Sequence, residues 1–163
     1  MKYHDSIINL LYYILKQGEE YLNHIDSGNA YDKILRNYHQ FNYKGERVYR
    51  NLSRMEKHYR FSENAWKNRS DKKSLYFEHL KPLKLVKEEL IDLIKHDKIT
   101  IDNIKTILNR TEIVVITKTE SRVIDEVHKS SLPENGVDRL TAINITIEEK
   151  SKENDLFRDP NLN

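Results

Sequence analysis

The sequence predicts a mainly α fold with a small two-stranded β-sheet near the C-terminus. Two observations carry that expectation: apolar residues recur at helical spacing through most of the chain, and only two short β-branched runs break the pattern. At 163 residues the chain is long enough for one domain and can bury roughly 70% of its unfolded surface, so its core needs no metal or disulfide. Cysteine is absent, which excludes disulfides, thiolate zinc sites and cysteine nucleophiles.

Asp5 is placed to cap a first helix on Ile8, Leu11, Leu15 and Leu22, closing near the turn-forming cluster Asp26-Ser-Gly-Asn29. A second helix is expected from Tyr31 to about Phe41, on Ile34, Leu35 and Tyr38. Glu46 to Arg60 gives the clearest helical pattern, with Val48, Leu52, Met55 and Tyr59 forming one apolar stripe. Arg47, Arg50, Arg54 and Lys57 form a second stripe roughly 150° away at about 100° per residue.

Ser62 reads as the cap of a short helix holding Trp66, and Leu75-Tyr-Phe77 as a strand or a buried turn. After Pro82 a helix uses Leu83, Val86, Leu90, Leu93 and Ile94, and Thr100 caps another on Ile104, Ile107 and Leu108. Thr111 to Thr117 is the best strand, because β-branched residues dominate it. Thr117 and Glu120 form a capping box for a helix with Val123, Ile124 and Val127 inward. Loop, a single helical turn at 137–143 and the alternating run Asn144 to Glu148 follow, this last expected to pair with the first strand. These elements divide into an N-terminal helical segment (1–43), a main body (44–150) and a polar tail (151–163).

Net charge is only +2, but its placement is uneven. Residues 44–73 carry ten Lys/Arg against four acids, a net of +6, which leaves −4 for the remainder. Within this window Arg47, Arg50, Arg54, Lys57, Lys67, Arg69, Lys72 and Lys73 are the candidate contacts to an anionic partner: a nucleic acid, a nucleoprotein or an acidic protein surface. Tyr43, Tyr49, His58, Tyr59 and Trp66 lie near enough in sequence to stack on bases, although Tyr59 and Trp66 have core spacing. The bland alternative is a solvated helix face.

The apolar run from Ile7 to Leu15 is too short for a membrane span and lacks the flanks of a signal peptide, so a cytoplasmic protein is expected. Four scattered glycines exclude phosphate-cradling loops. Seven histidines show no H-x-H or i, i+4 spacing, so neither a metal nor a cofactor is expected. Glu78-His79 ahead of Pro82 is the one pair with catalytic potential: an imidazole activating water beside an acid that holds a metal, as in a small HNH-like nuclease. No Asn or His follows at the position such a nuclease needs, and a structural role at a helix start fits as well.

Tyr76-Phe-Glu-His-Leu-Lys-Pro82, Thr117-Lys-Thr-Glu120, Leu132-Pro-Glu134 and Arg139-Leu-Thr-Ala-Ile143 together resemble a group of small uncharacterised proteins of phages and mobile elements in low-GC bacteria. The likeness spans roughly residues 60–147 and departs at Asn135-Gly136, where an aromatic is expected. Ile, Lys and Asn fill 50 of the 163 positions, a bias that fits AT-rich codons. The resemblance implies a mobile-element setting and, with the small size, a non-enzymatic inhibitor of a host defence system such as a CRISPR effector. A third expectation is a structural protein whose basic face meets an acidic subunit.

Overall fold

The computed structural model describes residues 3–26, 29–128, 131–134 and 138–148. It is mainly helical, with a three-stranded sheet. The tail from residue 151 and parts of the turn at 26–29 and the loop at 130–136 lie outside the described residues.

Five helices build one core: α1 (Tyr3–Lys16), α2 (Glu19–Asp26), α3 (Ala30–Gln40), α6 (Leu83–Lys95) and α7 (Ile101–Asn109). Leu11, Leu15, Leu35, Leu90, Ile104 and Leu108 are fully buried there, on the spacing that the sequence displays. The first helix is expected to run unbroken to residue 26. Gly18 interrupts it at φ +93, a conformation glycine reaches without Cβ strain, and its amide closes α1 on the Leu15 carbonyl at 3.0 Å. The sequence places the boundary of its helical segment at residue 43, whereas α6 and α7 return from the far side of that boundary to share this core.

The remaining elements surround the sheet: α4 (Leu52–His58), β1 (Arg60–Phe61), α5 (Glu63–Lys67), β2 (Leu75–His79), β3 (Ile113–Thr117), α8 (Lys118–His128) and α9 (Arg139–Ala142). Strand order is β1-β3-β2, with β3 parallel to β1 and antiparallel to β2. Alternation along β3 feeds two cores. Ile113 and Val115 pack with Met55, Phe61, Ala65 and Leu75, while Val114 and Ile116 pack with Ile124 and Leu140 on the opposite face.

The expected pairing of Thr111–Thr117 with Asn144–Glu148 does not occur. β3 is already flanked on both sides, and the 144–148 run lies against β1, where Ile147 bridges Ser62 and the Glu148 amide donates to the Phe61 carbonyl at 2.8 Å. Ile145 and Ile147 therefore pack in the core of Val114, not that of Ile113 and Val115.

Thr117 and Glu120 do form the capping box: the Thr117 amide donates to the carboxylate at 2.7 Å and the Glu120 amide to the Thr117 hydroxyl at 3.2 Å. The same carboxylate accepts from Ser62 and Asn64, which ties α5 to α8. This anchor sets the rotation of α8. It turns Glu120 and Ile124 inward and leaves Val123 and Val127 exposed at 41% and 58%, against the expectation that both are buried.

The expected helix over Glu46–Arg60 is the largest departure. Only Leu52–His58 is helical, because Asn51 caps it, its side chain accepting from the Arg54 amide at 3.2 Å. The apolar stripe is nevertheless inward at Val48, Met55 and Tyr59, with Leu52 half-buried. Met55→Ala should accordingly cost about 2–5 kcal/mol in urea unfolding, and Leu52→Ala clearly less. Equal losses at the two positions would contradict this packing.

Candidate nucleic-acid interface

Residues 41–51, between α3 and α4, form a compact loop organised around buried Asn42. Its side-chain oxygen accepts the Lys44 and Glu46 amides at 3.0 and 2.9 Å, and its amide group donates to the Glu46 carboxylate at 2.9 Å. Its backbone amide bonds the Glu46 carbonyl, and Phe41 bridges Arg47. The Val48 and Tyr49 amides both reach the Gln40 carbonyl, at 2.8 and 3.3 Å. Gly45, at φ +77, lies so close to the Tyr3 ring that a Cβ would meet it at 3.2 Å. The loop is thus held from inside and underneath.

Its exposed surface carries Arg47 and Arg50, with half-buried Tyr49 between them. Both guanidinium groups lie over the Tyr49 ring, their carbons 5.3 and 5.1 Å from its centroid. The same ring packs on Phe77 of β2 with centroids 4.3 Å apart. Arg50 has φ +64. The other positive-φ residues with side chains, among those described, are Asn29, Asp97 and Asn144, types that accept this conformation far more readily.

A single helical face carrying four cations is therefore not what the chain builds. Arg47 and Arg50 belong to the loop, and only Arg54 and Lys57 belong to α4. Arg54 is a brace: its guanidinium donates to the Arg47 carbonyl at 3.1 Å and pairs with Glu46 at 3.3 Å. Arg69 serves similarly, pairing with Glu56 at 2.9 Å and lying 4.0 Å from the Trp66 ring centroid. This contact brings the segment after α5 back alongside α4. Lys67 makes a long 3.9 Å contact to Glu63. Among the described residues Arg47, Arg50, Lys57, Lys72 and Lys73 have no carboxylate partner, and all five are exposed. Tyr59 is core, its hydroxyl donating to the His39 carbonyl at 2.6 Å.

Glu78 and His79 sit side by side on β2, so their side chains leave opposite faces of the sheet. Glu78 pairs with buried Arg139, which also donates to the His79, Leu80 and His128 carbonyls. Burial pushes the Glu78 carboxyl up, against the pull of Arg139. On the other face His79 is buried edge-on against His39, ring centroids 5.4 Å apart, and burial holds its pKa well below the usual imidazole value. The acid–imidazole pair of a nuclease is not assembled. No group of three His, Asp or Glu suited to a metal occurs among the described residues.

Asn42 escapes a reading based on charge and periodicity, whereas Tyr49 is among the aromatics that the sequence offers beside the cations. An Asn-x-x-Gly-Glu run ahead of the arginines was the available signal for a built turn. The chain matches no protein-family model, no curated protein and no solved structure. Among the described residues no helix is long and apolar enough to cross a membrane.

Proposed function

We propose that the chain is a non-enzymatic binding protein whose basic surface takes a nucleic acid, alone or within a nucleoprotein. One observation carries this reading: Arg47 and Arg50 are displayed on a hydrogen-bonded loop with no carboxylate to neutralise them among the described residues. Fixed cations in that arrangement lose little freedom when they meet phosphates. Lys57, Lys72 and Lys73 supply further charge on exposed positions. The sequence resemblance adds the setting, a phage or mobile element in which such binding would inhibit a host-defence nucleoprotein.

Affinity for a 20-nucleotide probe should fall steeply between 50 and 200 mM salt, since each neutralised phosphate releases counterions. Charge reversal of Arg47, Arg50, Lys57 and Lys72 together should reduce affinity by about a thousandfold or more and leave thermal unfolding nearly unchanged. Arg54 is spared, because a glutamate there would face Glu46. An unchanged affinity in the reversed variant overturns the reading. If a complex recovered from cells instead survives nuclease treatment and contains an acidic protein, the partner is that protein.

A further inference from the structure

The left-handed backbone at Arg50 is the place to ask what the loop is for. A side chain one residue beyond Tyr49 in an extended chain would leave from the opposite side. At φ +64 the chain turns back, so Arg50 joins Arg47 over the same ring. Such a conformation in a residue with a Cβ is unfavourable, and surrounding structure must hold it. Here the Asn42 bonds hold the loop on one side, and on the other the Asn51 cap starts α4 while Arg54 grips the Arg47 carbonyl. The result is two planar cations gathered over one tyrosine ring that itself packs against Phe77.

We infer that Arg47, Tyr49 and Arg50 form a stacking clip for unpaired bases, so that the partner is single-stranded nucleic acid. This inference rests on the nucleic-acid reading proposed above and narrows it. A guanidinium over an aromatic ring keeps its outer face available to the π-face of a base, while its edge N–H groups remain free to meet phosphate oxygens. Lysine cannot substitute in that role, because an ammonium has no plane. A duplex hides the base faces inside its stack and would offer this clip only phosphates. The structure also lacks a helix suited to a duplex groove in this region: α4 has seven residues, and its Arg54 is tied to Glu46 and Arg47. Arg47 and Arg50 stand on a turn, where a splayed base has room on the solvent side.

Fluorescence anisotropy at one fixed salt concentration, with three 12-nucleotide probes, tests the clip: a single strand, the matching duplex, and an abasic strand with the same number of phosphates. Wild type should bind the single strand about tenfold or more tighter than either of the others. Oligo-dT and oligo-rU versions separate DNA from RNA. Arg47→Lys with Arg50→Lys keeps every charge, so its salt dependence should match wild type while its preference for bases over abasic sites disappears. Arg50→Gly relieves the left-handed backbone, so its melting temperature should hold or rise while single-strand affinity falls. Equal wild-type affinity for the abasic and normal strands overturns the clip while leaving phosphate binding in place. So does a lysine pair that retains the preference. Failure to bind any of the probes at low salt removes both the clip and the reading beneath it.

Discussion

Arg139→Met should destabilise the protein by about 3–5 kcal/mol, which is enough to unfold many domains of this size. Arg139 is 2% exposed, and its guanidinium meets the Glu78 carboxylate and the carbonyls of His79, Leu80 and His128. Removing it leaves a 9%-exposed carboxyl without its cation and three carbonyls without this donor. The damage lies in the orphaned groups, so taking away the other partner as well should restore part of the loss. The double variant Arg139→Met with Glu78→Leu is therefore expected to be more stable than Arg139→Met alone in urea titrations. A single-variant loss below about 1 kcal/mol would show that water reaches Glu78 easily and that the pair is not an organising contact.

Stability should fall as pH drops from about 6.5 toward 4, because buried histidines resist protonation in the folded chain. His39 of α3 meets His79 of β2 where the helical core adjoins the sheet, and His4 of α1 packs beside Tyr38 of α3. The Nε2 of His4 lies 2.9 and 3.0 Å from the Tyr38 and Phe41 carbonyls, and that of His39 lies 3.1 Å from the Leu108 carbonyl, so each of these nitrogens carries a proton. Burial lowers the His39 pKa to about 4 from its usual 6.5, and His79 is lowered in the same direction. Below pH 6.5 the unfolded chain then binds more protons than the folded one, and stability drops as pH falls from about 6.5 toward 4. His39 alone accounts for about 3 kcal/mol across that window, at 1.36 kcal/mol per pKa unit. Glu78, whose pKa is raised, works the other way and softens the lower end. Unfolding free energies at pH 7.5 and 4.5 should differ accordingly, and His39→Gln should flatten the profile. An unaltered profile in that variant would locate the acid sensitivity elsewhere.

The helical core was legible because its signal is local. Leu11, Leu15, Leu90 and Leu108 recur at the period of the element that contains them, and caps at Ser62, Thr100 and Thr117 are single residues with direct consequences. The sheet was legible only in part. β-branching identifies β3, but strand partnership depends on residues far apart in sequence, and nothing local says that Leu75–His79 takes the place expected of 144–148. At the candidate site, composition exposed the excess of cations yet periodicity misassigned their scaffold. Val48, Leu52, Met55 and Tyr59 have helical spacing, and three of them are buried, but Asn51 and the Asn42 turn decide where the helix begins. Burial of an apolar residue is compatible with several backbone paths, so a spacing match does not fix one. The motif residues Glu78 and Arg139 turned out to be the two ends of one buried ion pair, a role that needs the tertiary fold to bring positions 61 residues apart together.

The strand order β1-β3-β2 has a consequence for how the molecule is born on a ribosome. The two outer strands are synthesised first and have no contact with each other in the sheet; their shared neighbour is the last of the three to emerge. Until Ile113–Thr117 leaves the exit tunnel, Phe61, Leu75 and Phe77 have no sheet to enter. The same interval delivers α6 and α7, which complete the core begun by α1–α3. A nascent chain halted before residue 113 thus carries unfinished apolar surface on its sheet elements, the kind of surface on which chaperones act and aggregates start. Emergence of that one five-residue strand gives the sheet its centre, and α8, α9 and the 144–148 run must still follow to cover Val114 and Ile116, so premature stops and late frameshifts should yield insoluble product rather than shortened but soluble fragments.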